Sequence, residues 1–257
     1  MTHRFKELLA GDALVRVFAL GRVIHPVVVD MYGLAGGYHG FWLDHEHAGL
    51  TYEQAMLAAV CARANGFDCF VRMAPISYAL TTQFLEAGAG GVMAARVESA
   101  SQAREFLSWA KFSPQGTRGL NTSGRDADYT HKPIADFARQ ANERSFVAIQ
   151  IETLGALAEA DEIAALDGVD LLFVGPADLS QAMGLLGQLN HDRVWEGIGQ
   201  VAAACRKHGK HWGTVPFDPA FAERAIENGC RMLTFGNDVL ALRRGIQTIK
   251  DAYSAHF

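Results

Sequence analysis

The amino-acid sequence predicts one parallel (β/α)8 barrel domain over residues 1–257. Three observations carry that prediction. The 257-residue length is near the usual size of such a barrel. Eight short β-like runs recur, and amphipathic segments lie between them. A doubly wound open sheet would want a Gly-rich phosphate loop after its first strand, and the sequence has neither G-x-G-x-x-G nor a Walker A motif.

The first run is LVRVFAL (14–20). The Gly-rich LAGGYHG (34–40) then reads as a loop or a helix end. The second run, GFWLDHE (40–46), leads into TYEQAMLAAVCARAN (51–65), an amphipathic helical segment. CFVRMA (69–74) is the third run and GVMAARV (91–97) the fourth. The fifth, FVAIQIE (146–152), precedes the helical GALAEADEIAAL (155–166). The sixth, LLFVG (171–175), is apolar enough to be buried and turns at Gly175-Pro176. HWGTVP (211–216) is the seventh, followed by PAFAERAIENG (219–229), whose final Gly suits a helix C-cap. MLTFGN (232–237) is the eighth.

Composition narrows the function classes. A hydrophobic fraction of 49% and a charged fraction of 20% are ordinary for a globular protein. The net charge of −5, with no basic run, argues against a nucleic-acid surface. It says little about small anionic substrates, because one pocket can be positive on an acidic protein. Cys61, Cys69, Cys205 and Cys230 form no C-x-x-C pair and read as small buried hydrophobes in a reducing compartment. Charges interleave the first twenty residues, so no signal peptide is expected, and no apolar stretch is long enough to span a membrane. The expected location is the cytoplasm.

Catalytic groups in such a barrel sit at the C-terminal ends of the strands. The second run ends in Asp44-His45-Glu46-His47, the third carries Arg72, the fifth ends in Gln150-Ile151-Glu152, and the sixth leads to Ala177-Asp178. Glu152 and Asp178 are one strand–helix–strand unit apart, so they fall on neighbouring strands, about 4.8 Å apart in the sheet. Two carboxylates so placed can share a hard divalent cation, or stand as solvated acids that cap the next helices. Arg72 on a buried strand face needs an anion. That anion is a structural carboxylate, a substrate carboxylate or a developing oxyanion. If the second strand stays regular to its end, His45 and His47 point the same way. Zinc hydrolases of the amidohydrolase type also have an H-x-H pair, but on the first strand and with further His ligands that this chain lacks.

Together D-x-E-H (44–47), V-R (71–72), L-E-A-G-A-G-G-V-M (85–93), S-P-Q-G-T-R-G (113–119), Q-I-E-T (150–153) and G-V-D-L-L-F-V-G-P-A-D-L-S (168–180) resemble the HpcH/HpaI aldolases. These are class II enzymes that use pyruvate as the nucleophile. The resemblance runs from about residue 40 to the C-terminus. It implies a divalent metal ion (Mg²⁺, Mn²⁺ or Co²⁺) held by Glu152 and Asp178. It implies Arg72 at the bound pyruvate and its enolate, and His47 as the base, acting directly or through a water. Glu86 stands where relatives have the acid that pairs with that His. Gln150 would line the site, and the turn Gly175, Pro176, Ala177, Asp178 would hold the pyruvate carboxylate at its amides. The reaction implied is reversible cleavage of a 4-hydroxy-2-oxo acid, a sugar-acid derivative or a diacid, to pyruvate and an aldehyde. The related citrate-lyase-β/malyl-CoA lyases, which cleave CoA thioesters, are the alternative. The resemblance also implies a trimer of dimers, with the last helix packed on a neighbouring subunit.

The sequence departs from its relatives in four places. Glu86 replaces their usual Asp. Ala95 and Arg96 replace Pro and Met, so that Arg96 either reads an acidic aldehyde or is an outward structural residue. The loop Ala48-Gly49-Leu50 lacks the usual Pro, and His45 stands where smaller or apolar residues are usual.

Overall fold

The computed structural model describes residues 4–257. Eight strands, β1 (Val15–Leu20), β2 (Gly40–Asp44), β3 (Asp68–Met73), β4 (Gly91–Ala94), β5 (Phe146–Ile151), β6 (Leu171–Val174), β7 (His211–Thr214) and β8 (Met232–Asn237), close into a barrel in chain order. Every pairing is parallel, including β1 with β8. The eight predicted runs are these eight strands, and the open-sheet alternative is excluded.

Three local expectations need correction. β2 stops at Asp44, and His45, Glu46 and His47 belong to the turn that follows. β4 stops at Ala94, because Arg96 takes a left-handed φ of 52° that no strand continues through. The segment 155–166 is two short helices, Leu154–Ala158 and Ala160–Ala164, joined at Glu159, which lies outside the helical region. By contrast, Tyr52–Ala64 is one helix, because Thr51 and Gln54 form a reciprocal capping box at its start. The helix Pro219–Glu227 ends as expected, with Gly229 at φ 84° just beyond it.

Strand alternation sorts the core into two layers. Phe18, Phe41, Leu43, Val71, Val92, Val147, Ile149, Leu172 and Leu233 face outward under the helices. Val15, Val17, Trp42, Phe70, Met93, Phe146, Ala148, Leu171, Phe173 and Met232 fill the barrel interior. Phe5, on the helix Phe5–Ala10 before β1, closes the floor with ring centroids 5.3 Å from Phe70 and 5.6 Å from Phe146. Asp68, at the start of β3, accepts the Phe5 and Cys69 amides at 3.3 and 2.9 Å and so anchors that helix. Burial pushes the Asp68 carboxyl up to about 6.

Candidate active site

The same alternation carries polar groups upward from the apolar interior. Trp42 is followed on the inner face by Asp44, Phe70 by Arg72, Ala148 by Gln150, and Phe173 by Gly175. The pairing register sets Asp44 beside Arg72 and Gln150 beside Phe173. A polar layer therefore sits on the greasy filling at the C-terminal end of the barrel, where enzymes of this fold do their chemistry.

Arg72 is held from three sides. Its Nη2 and Nε donate to the two Asp44 oxygens at 2.8 and 3.3 Å. Its Nη1 lies 3.3 Å from Glu46 Oε2, and the guanidinium stands 4.7 Å over the Trp42 ring. Asp44, Glu46 and Trp42 are thus the positioning residues that the sequence reading left without a role. Their signal was there: Trp42 and Asp44 are the two inward positions that end β2.

Glu152 is the most strained charge in the site. It is 2% exposed, accepts the Arg96 amide at 2.7 Å, and takes a short hydrogen bond from the Gln150 side-chain amide. Burial, and secondarily the charges of Asp178 and Glu46, push its carboxyl up to about 7. The left-handed turn at Arg96 places that amide, while the Arg96 side chain is exposed in the cavity shared by Glu98, Glu152 and Asp178. That cavity, of about 320 Å³, is roomy enough for a small keto acid and water.

Buried polar atoms here lack a hydrogen-bond partner, among them Gln150 Oε1 and Trp42 Nε1. Among the described residues, no group of three or more His, Cys, Asp and Glu side chains is arranged to hold a metal ion. The carboxylates that could hold one are Glu152 and Asp178, which line one cavity. Hard oxygen donors with vacant positions fit Mg²⁺ or Mn²⁺, which keep water and bind through one or two carboxylates. Gly175 is required by this crowding: a Cβ there would collide with the Glu152 carboxylate and lie 2.8 Å from Gln150 Nε2. The amides of Ala177 and Asp178 are in the first turn of the helix Pro176–Ala182, where backbone donors have no intrahelical acceptor.

The two histidines separate. His45 packs edge-on against Phe84 in the outer layer, with ring centroids 5.0 Å apart, and burial lowers its pKa. His47 lines the cavity shared with Asp44 and Arg72, and its Nε2 is 3.7 Å from Glu46 Oε2. The same-face expectation failed because the strand ends before either histidine, and no shared zinc site follows. Glu86 is also displaced from its expected partner. It ends the helix Tyr78–Glu86 and accepts a hydrogen bond from Asn121 at 3.0 Å. That helix end leads back to the start of β4, so it lies at the opposite end of the parallel barrel from His47. Within one chain the two do not pair.

The sequence profile of the HpcH/HpaI aldolase/citrate lyase family matches residues 40–244. The 5-keto-4-deoxy-D-glucarate aldolase of Klebsiella pneumoniae is 29% identical over 251 residues, covering 98% of this chain and 96% of that protein. Among solved structures, the HpcH/HpaI aldolase from Desulfitobacterium hafniense superposes with a TM-score of 0.87 at 33% identity, covering 96% of each chain. The citrate synthase SbnG reaches a TM-score of 0.88 at 23% identity over 98% of each chain, a likeness of fold.

Proposed function

Because the chain belongs to the HpcH/HpaI aldolase/citrate lyase family, we propose that it is a class II pyruvate aldolase that splits a 4-hydroxy-2-oxo acid into pyruvate and an aldehyde. The observation that carries this reading is the buried Glu152 carboxylate, set in one cavity with Asp178 and electrostatically coupled to Arg72. Glu152 and Asp178 would hold a divalent cation. When bound, that ion would polarise the keto group and offset the charge of the enolate.

The remaining steps belong to the chain's own side chains. His47 takes the proton from the C4 hydroxyl. The C3–C4 bond breaks as the aldehyde carbonyl forms, and its electron pair passes into the pyruvate enolate. Arg72, fixed by Asp44 and Trp42, sets a positive charge against the developing oxyanion. The amides of Ala177 and Asp178 hold the pyruvate carboxylate. Protonation at C3 then completes pyruvate. Histidine is the side chain that most often serves as a general base.

The direct test is exchange of pyruvate methyl protons in D₂O, followed by NMR. Exchange is expected with Mn²⁺ or Mg²⁺ and is lost in excess EDTA; undiminished exchange in EDTA would sink the metal-dependent reading. A second expectation concerns Gly175→Ala. The added methyl must push Glu152 aside, so kcat should fall by about 100-fold, as for a misplaced catalytic group, while far-UV circular dichroism stays unchanged. A fully active Gly175→Ala enzyme would mean that Glu152 does not need its observed position.

Assembly belongs to the same reading. The last helix, Asp238–Ala252, exposes Val239, Leu242, Ile246 and Ile249, and the stripe continues to Tyr253. This spacing of three and four marks a helix face that packs on another helix. It supports packing of that helix on a second copy, in the trimer of dimers that the family resemblance implies. A Glu86–His47 pair would then need Glu86 from another copy. The four cysteines are free thiols, three of them buried, which supports the reducing cytoplasm as the compartment. Among the described residues no helix is long and apolar enough to cross a membrane.

A further inference from the structure

Two cavities of opposite character lie at this end of the barrel. One is acidic, with Glu98, Glu152 and Asp178 against the single cation Arg96. The other, of about 460 Å³, lies toward β1 and β8 and includes Arg22, Trp42, Asp44, His47, Arg72 and Arg243 in its lining.

The carboxylates of the second cavity are already committed. Asp44 is bound to Arg72 at 2.8 Å. Asp238 accepts the amides of Gly21, Arg22 and Val23 at 3.0, 2.7 and 2.6 Å, and these hold its carboxyl below the usual range against the opposing effect of burial. Arg22 donates from Nη2 to a neutral acceptor, the His47 carbonyl, at 2.8 Å. Among the described residues neither Arg22 nor Arg243 has a carboxylate partner. The rim of this cavity therefore presents two uncompensated guanidinium groups on a chain whose net charge is −5.

We propose that Arg22 and Arg243 read a second carboxylate on the substrate, at the end remote from the 2-oxo acid group. The inference rests on the aldolase reading and adds residues to it. The acidic cavity, with a cation held by Glu152 and Asp178, would take the keto-acid end of the substrate. Arg72 lines the basic cavity and acts electrostatically on Glu152 in the acidic one. The aldehyde half then extends over Trp42 to the basic rim, where a terminal carboxylate meets donors whose fork geometry matches it.

The test uses two ligands that bind without being cleaved. 2-Oxoadipate and 2-oxohexanoate share the keto-acid head and the carbon count, neither has the C4 hydroxyl, and only the first has a distal carboxylate. Calorimetry on the Mn²⁺-loaded enzyme should show the diacid bound about tenfold more tightly. In Arg22→Met/Arg243→Met that ratio should fall to near one. Equal binding of the two ligands by the wild-type enzyme, or a ratio that survives in the double variant, overturns the proposal. A variant that weakens both ligands equally overturns it as well, because the arginines then serve the keto-acid end. If the wild-type enzyme binds neither ligand and exchanges no pyruvate protons, the aldolase reading itself has failed, and that result is distinct from the others.

Discussion

Glu152→Gln should abolish pyruvate proton exchange and weaken Mn²⁺ binding by more than the 10- to 100-fold that loss of an outer-sphere partner costs in metal sites. The side chain keeps its shape, so the loss reports the charge. The same substitution should stabilise the metal-free protein. In the folded state the Glu152 carboxyl is pushed from 4.5 up to about 7, so the folded chain holds that proton more firmly than the unfolded chain. Stability from this group is complete below pH 4.5 and is lost as pH rises through about 7. At pH 8 a shift of this size costs the metal-free wild-type protein up to roughly 3 kcal/mol, and Gln carries no such charge. Urea denaturation of both metal-free proteins at pH 5 and pH 8 checks this. The variant should gain on the wild type far more at pH 8 than at pH 5. A variant that is destabilised at pH 8 would mean that the carboxylate is already compensated within the protein.

Arg72→Lys should lower kcat by about 100- to 1,000-fold, the usual range for loss of one donor to a developing oxyanion. Lysine preserves a positive charge for Asp44 and Glu46 but has no planar fork to span Asp44 and face the substrate together. The fold should therefore survive. Arg72→Met is the contrasting case. It leaves Asp44 and Glu46 without their cation, and breaking a buried pair in this way typically costs about 3–5 kcal/mol. Steady-state kinetics separates the possible roles. A fall in kcat at nearly constant KM places Arg72 at the transition state. A rise in KM alone would confine it to ground-state binding of pyruvate.

The barrel was legible because its signal is periodic: each strand is an apolar run bounded by turn residues, and eight such runs admit few topologies. The strand ends were harder to read. His45 and His47 have the spacing of a shared face, but alternation holds only while the backbone is extended, and β2 stops at Asp44. Glu86 lies in a motif that resembles a catalytic one, yet the chain direction carries it to the other end of the barrel. Gln150 near the end of β5, Glu152 just after it and Asp178 in the helix that follows β6 were singled out because a barrel carries its chemistry at that end of its strands. Trp42, Arg22 and Arg243 were missed for a different reason. Their contribution depends on which neighbours are already neutralised, and that is visible only when Asp44 and Asp238 are seen bound to other partners.

The aromatic stopper formed by Phe5, Phe70 and Phe146 also governs traffic. With the interior filled from the floor upward, no channel runs through the barrel, and everything that enters must leave by the same mouth. Glu152 lies deep, at 2% exposure, whereas Arg22 and Arg243 are on the exposed rim. Glu98 and Asp178 of the acidic cavity are exposed as well, so substrate entry and the release of both products share one end of the barrel.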